Sequence, residues 1–158
     1  MKVLYVSKAL VTGSYREKIR GLSARAEVDA VVPERWGDRR PEPSPPGAPE
    51  PATARAWFHG HNHLHVYAAP GRLLDEAAPD LVHVDEEPYS LVTLQLGRLC
   101  RRRGVPFVFF TWQNLDKRLP PPFGLVRSAV FRAAAGGIAG TDAAARVLEE
   151  TGFEGPTA

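Results

Sequence analysis

Short β-rich apolar runs alternate along this chain with stretches of helical period, and that alternation leaves few folds open. KVLYVS (residues 2–7) is followed by Tyr15, Ile19, Leu22 and Ala26, spaced four, three and four apart. EVDAVVP reads as a second strand closed by Pro33. DLVHVDEEP then leads to a helix carrying Val92, Leu96 and Leu99 on one face and ending at RRRG, and VPFVFFTW leads to a helix over about residues 122–135 carrying Phe123, Val126, Val130 and Ala134. GGIAG makes a last short strand, after which Thr141 or Asp142 caps a helix running to Glu150. Repeated strand–helix units with right-handed crossovers form a parallel sheet covered by helices. The pattern predicts an α/β three-layer sandwich with a mostly parallel sheet.

Two passages break the rhythm. PEPSPPGAPEP (residues 41–51) holds six prolines, which forbid a regular hydrogen-bonded ladder, so residues 34–52 are expected as a mobile surface loop. ARAWFHGHNHLHVYAA re-enters the fold as one or two strands, followed by a short helix from Pro70 or Gly71 to Ala78. On a strand, His59, His61, His63 and His65 would share a face. With no carboxylate or cysteine nearby they do not make a catalytic zinc site, and packing or hydrogen-bonding roles for His63 and His65 follow.

With 158 residues, 44% of them hydrophobic, the chain holds the apolar material of one ordinary domain. Its net charge of +2 balances 20 basic against 18 acidic residues, which is not the surface of a nucleic-acid binder. The single cysteine, Cys100, excludes an internal disulfide and fits a reducing, cytoplasmic compartment. Arg101, Arg102 and Arg103 close a helix, where cations oppose the exposed carbonyls; peripheral contact with anionic lipid is the alternative role.

In an open parallel sheet, ligands bind beyond the carboxyl ends of the strands. The polar clusters of this sequence fall at those positions: Ser7 to Ser14, Asp85-Glu86-Glu87, Thr111 to Asn114, and Gly140-Thr141-Asp142. The first loop has neither a G-x-G-x-x-G pattern nor a Walker lysine, so no dinucleotide or P-loop cofactor is implied. Gly13 and Ser14 either let the backbone approach a phosphate or merely turn the chain. Glu86 and Glu87, being adjacent, point to opposite faces of a regular strand and make a poor acid/base pair; they serve either a ligand or the following helix as a cap.

Taken in order, YREKIRGLSARAEVDAVVPERWGD, GHNHLHVY, PDLVHVDEEPYSLVTLQ and VPFVFFTWQNLDKRLPPPF resemble the amino-terminal half of retaining glycosyltransferases of the two-domain GT-B fold, glycosyltransferase family four. The likeness covers nearly the whole chain except the proline-rich segment. It implies a single Rossmann-like, acceptor-binding domain over residues 1–158, with the donor-binding domain that would hold the nucleotide sugar absent. The donor-side cations and paired glutamates of the family belong to that half, so this chain alone is expected to be inactive.

Many relatives carry a histidine after the fifth strand, where this chain has Trp112-Gln113-Asn114. The resemblance gives Gln113 and Asn114 a hydrogen-bonding part toward a sugar hydroxyl. It adds Lys117 to the substrate-binding set with Gly13, Ser14, Glu86 and Glu87, names no catalytic residue with certainty, and calls for no metal or cofactor. The partners implied are a nucleotide sugar, a sugar or lipid-linked acceptor, and the missing donor half. The alternative is a non-catalytic Rossmann-like binding or interaction module. A flavodoxin-like cofactor protein is a weaker third reading without a phosphate loop.

Overall fold

The computed structural model describes residues 1–116 and 119–158. Six parallel strands, β1 (Lys2–Val6), β2 (Glu27–Pro33), β3 (Ala52–Ala54), β6 (Leu81–Val84), β7 (Phe107–Thr111) and β8 (Gly136–Ala139), form one sheet in the order β3-β2-β1-β6-β7-β8. Between β3 and β6, a small antiparallel pair, β4 (Ala56–Trp57) and β5 (Val66–Tyr67), carries the histidine-rich segment as its connecting loop. The helices are α1 (Glu17–Ser23), α2 (Pro70–Ala77), α3 (Leu91–Arg103), α4 (Pro121–Phe131) and α5 (Asp142–Glu150). The expected three-layer α/β sandwich with a parallel sheet is therefore the observed fold.

The pleat divides the core into two unequal halves. Leu4, Val6, Val31, Val82, Val84, Phe107 and Phe109 point to one face, where Leu74 of α2, Val92 and Leu96 of α3, Val126 and Val130 of α4, and Leu148 of α5 cover them. Tyr5, Ala30 and Val32 point to the other, where Ile19 of α1 and the single-turn segment Ala9–Val11 cover them. A right-handed crossover puts α1 on the second face and every later helix on the first. Consequently Leu81, Val108 and Ile138 are only half-buried and floor an apolar trough of about 480 Å³ between α1 and residues 156–158. Those last residues extend the sheet past β8: Ala158 donates its N–H to Gly137 O at 3.0 Å and accepts that of Ala139 at 2.8 Å.

Tight contacts locate the layers. A Cβ on Gly97 of α3 would stand 2.6 Å from the Phe107 ring, so glycine here brings the helix close to the sheet. The Thr141 hydroxyl accepts the Ala144 N–H at 3.1 Å and caps α5. Pro121 occupies the first turn of α4, where its missing N–H costs nothing. The arginine run ends α3 at Gly104, which takes the left-handed conformation at φ 68°, and Arg103 pairs with Asp75 of α2. Among the described residues no helix is long and apolar enough to cross a membrane.

Two local expectations differ from the structure. The first helix is shorter than its periodicity predicts: residues 13–16 form a 3-10 turn before α1, with Tyr15 57% exposed and Ile19 fully buried. Leu22 borders the uncovered trough and Tyr15 a cleft at the carboxyl edge of the sheet, so neither side chain packs in a core. The proline-rich segment is anchored, and not free. Arg16, 1% exposed, donates from Nε to Leu10 O at 2.8 Å and from Nη1 to Ser44 Oγ at 2.9 Å and Glu50 Oε2 at 3.1 Å. Buried charge demands such partners, and residues 41–51 supply them despite lacking regular structure.

Candidate functional site at the carboxyl edge

The carboxyl ends of β1, β6 and β7 open into a cleft of about 870 Å³, walled by the 3-10 turn and α1 and lined by Lys8, Ser14, Lys18, Asp85, Glu86, Glu87 and Trp112. Strand order produces this convergence. β1 pairs with β6 and β6 with β7, so the loops after them, distant in sequence, meet at one edge.

Glu86 is buried at 3% exposure. Its Oε1 accepts the Lys8 backbone N–H at 3.0 Å, and its Oε2 receives the Lys8 ammonium. Burial nevertheless pushes its carboxyl up to about 7, with Lys8 opposing the shift incompletely. His65, also buried, lies 3.9 Å from Oε1. Burial and then the Lys8 charge bring this imidazole down to about 4, so it is neutral at pH 7 and the contact is polar, not ionic.

Asp85, beside it, accepts the Ser7 hydroxyl at 2.8 Å and pairs with Lys18 of α1, whose ammonium lies 5.2 Å from the centre of the Tyr5 ring. Glu87 turns toward β7: its Oε2 accepts the Thr111 hydroxyl at 2.6 Å and its Oε1 the Trp112 backbone N–H at 2.9 Å. Burial raises its carboxyl, while these two donors pull it back. Glu86 and Glu87 thus diverge as adjacent residues should, one toward β1 and one toward β7. Because the strand ends at Val84, both still reach the cleft wall.

A second cleft of about 340 Å³ adjoins the first and shares Glu87 and Trp112 with it. Gln113 and Asn114 line this smaller space with Tyr89. The Gln113 amide donates to Leu115 O at 3.0 Å, and Asn114 Oδ1 accepts the Thr141 hydroxyl at 2.6 Å, tying the end of β7 to the cap of α5.

Of the residues proposed from sequence, Ser14, Glu86 and Glu87 share the larger cleft, and Gln113 and Asn114 the smaller. Gly13 is differently placed. Its N–H donates to Glu42 Oε2 at 2.8 Å, and a Cβ on it would lie 2.3 Å from Pro43 O, so its backbone meets the proline-rich segment. Lys117 lies outside the described residues. The histidines sit on the β4–β5 loop, where strand alternation has no meaning: His63 Nδ1 is 3.0 Å from Ser90 Oγ and its carbonyl accepts the Leu91 N–H, steadying the start of α3. The sequence places Lys8 and Asp85 in the polar strand-end clusters without assigning them to the substrate-binding set, and gives no signal for Lys18. Each lies within the strand-end loops or on the first helix, but only the β1–β6 pairing brings them face to face.

Residues 13–157 match the family model described as "Glycosyl transferase 4-like domain". A comparison with curated proteins finds no match. Among solved structures, the chain is similar to UDP-GlcNAc 2-epimerase from Methanocaldococcus jannaschii at 12% identity and a TM-score of 0.59, covering 97% of this chain and 42% of that one. A co-structure of S. aureus MnaA with UDP gives 16% identity and a TM-score of 0.61, covering 97% and 41%. UDP-GlcNAc 2-epimerase from Neisseria meningitidis, bound to UDP-GlcNAc, gives 14% and 0.51, covering 95% and 43%. At these identities the likeness shows the fold, and the chain spans about two fifths of the length of each neighbour. The six-stranded sheet, its strand order and the family match agree: the chain belongs to the glycosyl transferase 4-like domain family and has the architecture of the amino-terminal, Rossmann-like half of a GT-B fold.

Proposed function

We propose that this domain binds the acceptor for a retaining, nucleotide-sugar-dependent glycosyltransferase of the hexosyl-transferring class, and that it is inactive without a donor-binding half. The observation that carries this reading is the gathering of Ser14, Glu86 and Glu87 with Lys8, Lys18 and Asp85 around one cleft at the carboxyl edge of a family-four domain. Such a cleft, with an apolar floor and a few convergent polar groups, is the form a small-ligand site takes. Among the cleft carboxylates, Asp85 and Glu86 already hold Lys18 and Lys8, which keeps their oxygens oriented. Glu87 retains lone pairs for an acceptor hydroxyl beyond its two existing donors.

In this reading the leaving diphosphate is stabilised from the opposite half and takes the acceptor proton itself, in a front-side mechanism. The residues of this chain orient the acceptor and exclude water. The neighbours bound to UDP and UDP-GlcNAc make uridine diphosphate sugars the first donors to try. The test is to assay the chain alone, then joined to a donor-binding half from a family member, for sugar transfer to a panel of glycoside and lipid-linked acceptors. Transfer only by the joined protein is the expected result. Turnover by the chain alone overturns the inactivity, and a joined protein that binds donor but transfers to nothing overturns the acceptor role.

A further inference from the structure

Trp112 is a large aromatic that the cleft leaves in the open while its neighbours hold it in place. It is 60% exposed, an unusual state for the residue that directly follows a central strand. Exposed side chains ordinarily move among rotamers, and this one is wedged. A Cβ on Gly140 would stand 2.5 to 2.7 Å from three atoms of the indole, so the ring lies against bare glycine backbone at the end of β8. Phe110 meets the ring edge-on with centroids 5.3 Å apart. The Trp112 backbone N–H is held by Glu87, which Thr111 holds in turn.

We propose that the exposed part of the Trp112 indole is a stacking platform for a pyranose ring, making the Trp112–Glu87 pair a sugar subsite between the two clefts. A pyranose has an apolar C–H face and a rim of hydroxyls. The indole supplies a flat apolar surface of matching kind, and its position is set before binding, so little ordering entropy opposes the contact. Hydrogen-bonding groups line the clefts on either side of the ring. Glu87 borders both spaces that flank the ring, and Gln113, Asn114 and Tyr89 border the smaller one. The Glu87 oxygens accept one hydrogen bond each from the protein and have capacity for a hydroxyl donor. An isolated surface tryptophan is ordinary. A wedged one standing between two clefts and tied to a carboxylate is built to receive something flat.

The proposal rests on the acceptor reading only for its place in a reaction; binding of a sugar ring is a property of this chain alone. The experiment therefore uses the chain as it is. Methyl pyranosides of glucose, galactose, mannose and N-acetylglucosamine are titrated in parallel with UDP-glucose and UDP, following tryptophan fluorescence and the indole N–H signal by NMR. The wild type is expected to show saturable binding in the millimolar range for at least one pyranoside. Trp112→Ala should weaken it by about tenfold, the size of one aromatic contact, and Trp112→Phe should keep part of it. Gly140→Ala, whose new methyl group evicts the ring, should reproduce the loss with unchanged far-ultraviolet dichroism. Binding of UDP-glucose but of no simple pyranoside would assign the platform to the nucleotide and overturn the proposal. Equal binding by Trp112→Ala, or no saturable binding of any pyranoside, overturns it as well. Such failures leave the acceptor role intact if the joined enzyme transfers sugar.

Discussion

The Glu42 carboxylate accepts the Gly13 N–H at 2.8 Å, so a side chain from the proline-rich segment occupies the amide after the first strand. That hydrogen bond, followed by the one from Arg39, holds the Glu42 carboxyl below its ordinary value. A Gly13 Cβ would meet Pro43 O at 2.3 Å, too close for the two segments to keep their register. Gly13→Ala is therefore expected to destabilise the fold by about 1–3 kcal/mol, as overpacking does. Urea denaturation measures it; an unchanged midpoint would show that the segment shifts freely.

Deleting residues 41–51 should be far from neutral. The cut strips Arg16, 1% exposed in the intact chain, of Ser44 and Glu50 while Leu10 O remains its neighbour, so the guanidinium loses its counter-charge and the segment that contacts it. Glu50 is 67% exposed, so the loss is that of hydrogen bonds to a charged group, about 1.5–3 kcal/mol. The deletion should lower the melting temperature by several degrees, and Arg16→Met in the deleted background should recover part of the loss. A deletion that melts with the wild type would mean that water replaces the strap at no cost.

Stability should pass through a maximum near pH 6.5, because two kinds of buried group titrate in opposite senses. Burial holds His65 and His83 neutral, down to about 4 from 6.5, so the unfolded chain binds more protons across that window and stability falls as pH drops through it. Glu86 is raised by burial from 4.5 to about 7, so its contribution is complete below 4.5 and is lost as pH rises through 7. Thermal melts should show Glu86→Gln gaining on the wild type as pH rises from about 4.5 to about 7 and holding that gain above it, since Lys8 can reach solvent, and His83→Leu flattening the acid limb. A variant difference that does not change with pH would refute the assignment for that residue.

Gln113 and Asn114 can be separated by measuring two quantities on the same proteins. Asn114→Ala removes the acceptor of the Thr141 hydroxyl, which caps α5, and should lose about 1 kcal/mol of stability. Gln113→Ala frees only the Leu115 carbonyl in an exposed turn and should fold as the wild type. In a complete enzyme, loss of a transition-state hydrogen bond from either amide slows transfer by about 10- to 100-fold. Unchanged activity per folded molecule would confine these amides to the turn.

The α/β architecture is readable in the sequence because each central strand is a dense apolar run bounded by turn residues, and β6 and β7 fall where such runs begin and end. The carboxyl-edge position of Glu86 and Glu87 follows from the same pattern. Pairings between distant loops are another matter. Lys8 with Glu86, Lys18 with Asp85 and Glu42 with Gly13 each join segments whose nearness depends on strand order, which no local periodicity encodes. Composition also misleads at residues 41–51: prolines rule out a ladder, but they do not stop side chains such as Ser44 and Glu50 from serving a buried cation.

Because α1 is the only α-helix among the described residues on its side of the sheet, the native state already presents to water an apolar strip, including Leu81, Val108 and Ile138, that a doubly covered sheet would expose only on unfolding. The denaturant slope and the heat-capacity increment both scale with the surface newly wetted during unfolding. This domain should accordingly unfold with a shallower urea dependence and a flatter stability curve than its length implies, and any molecule that covers the strip should steepen both.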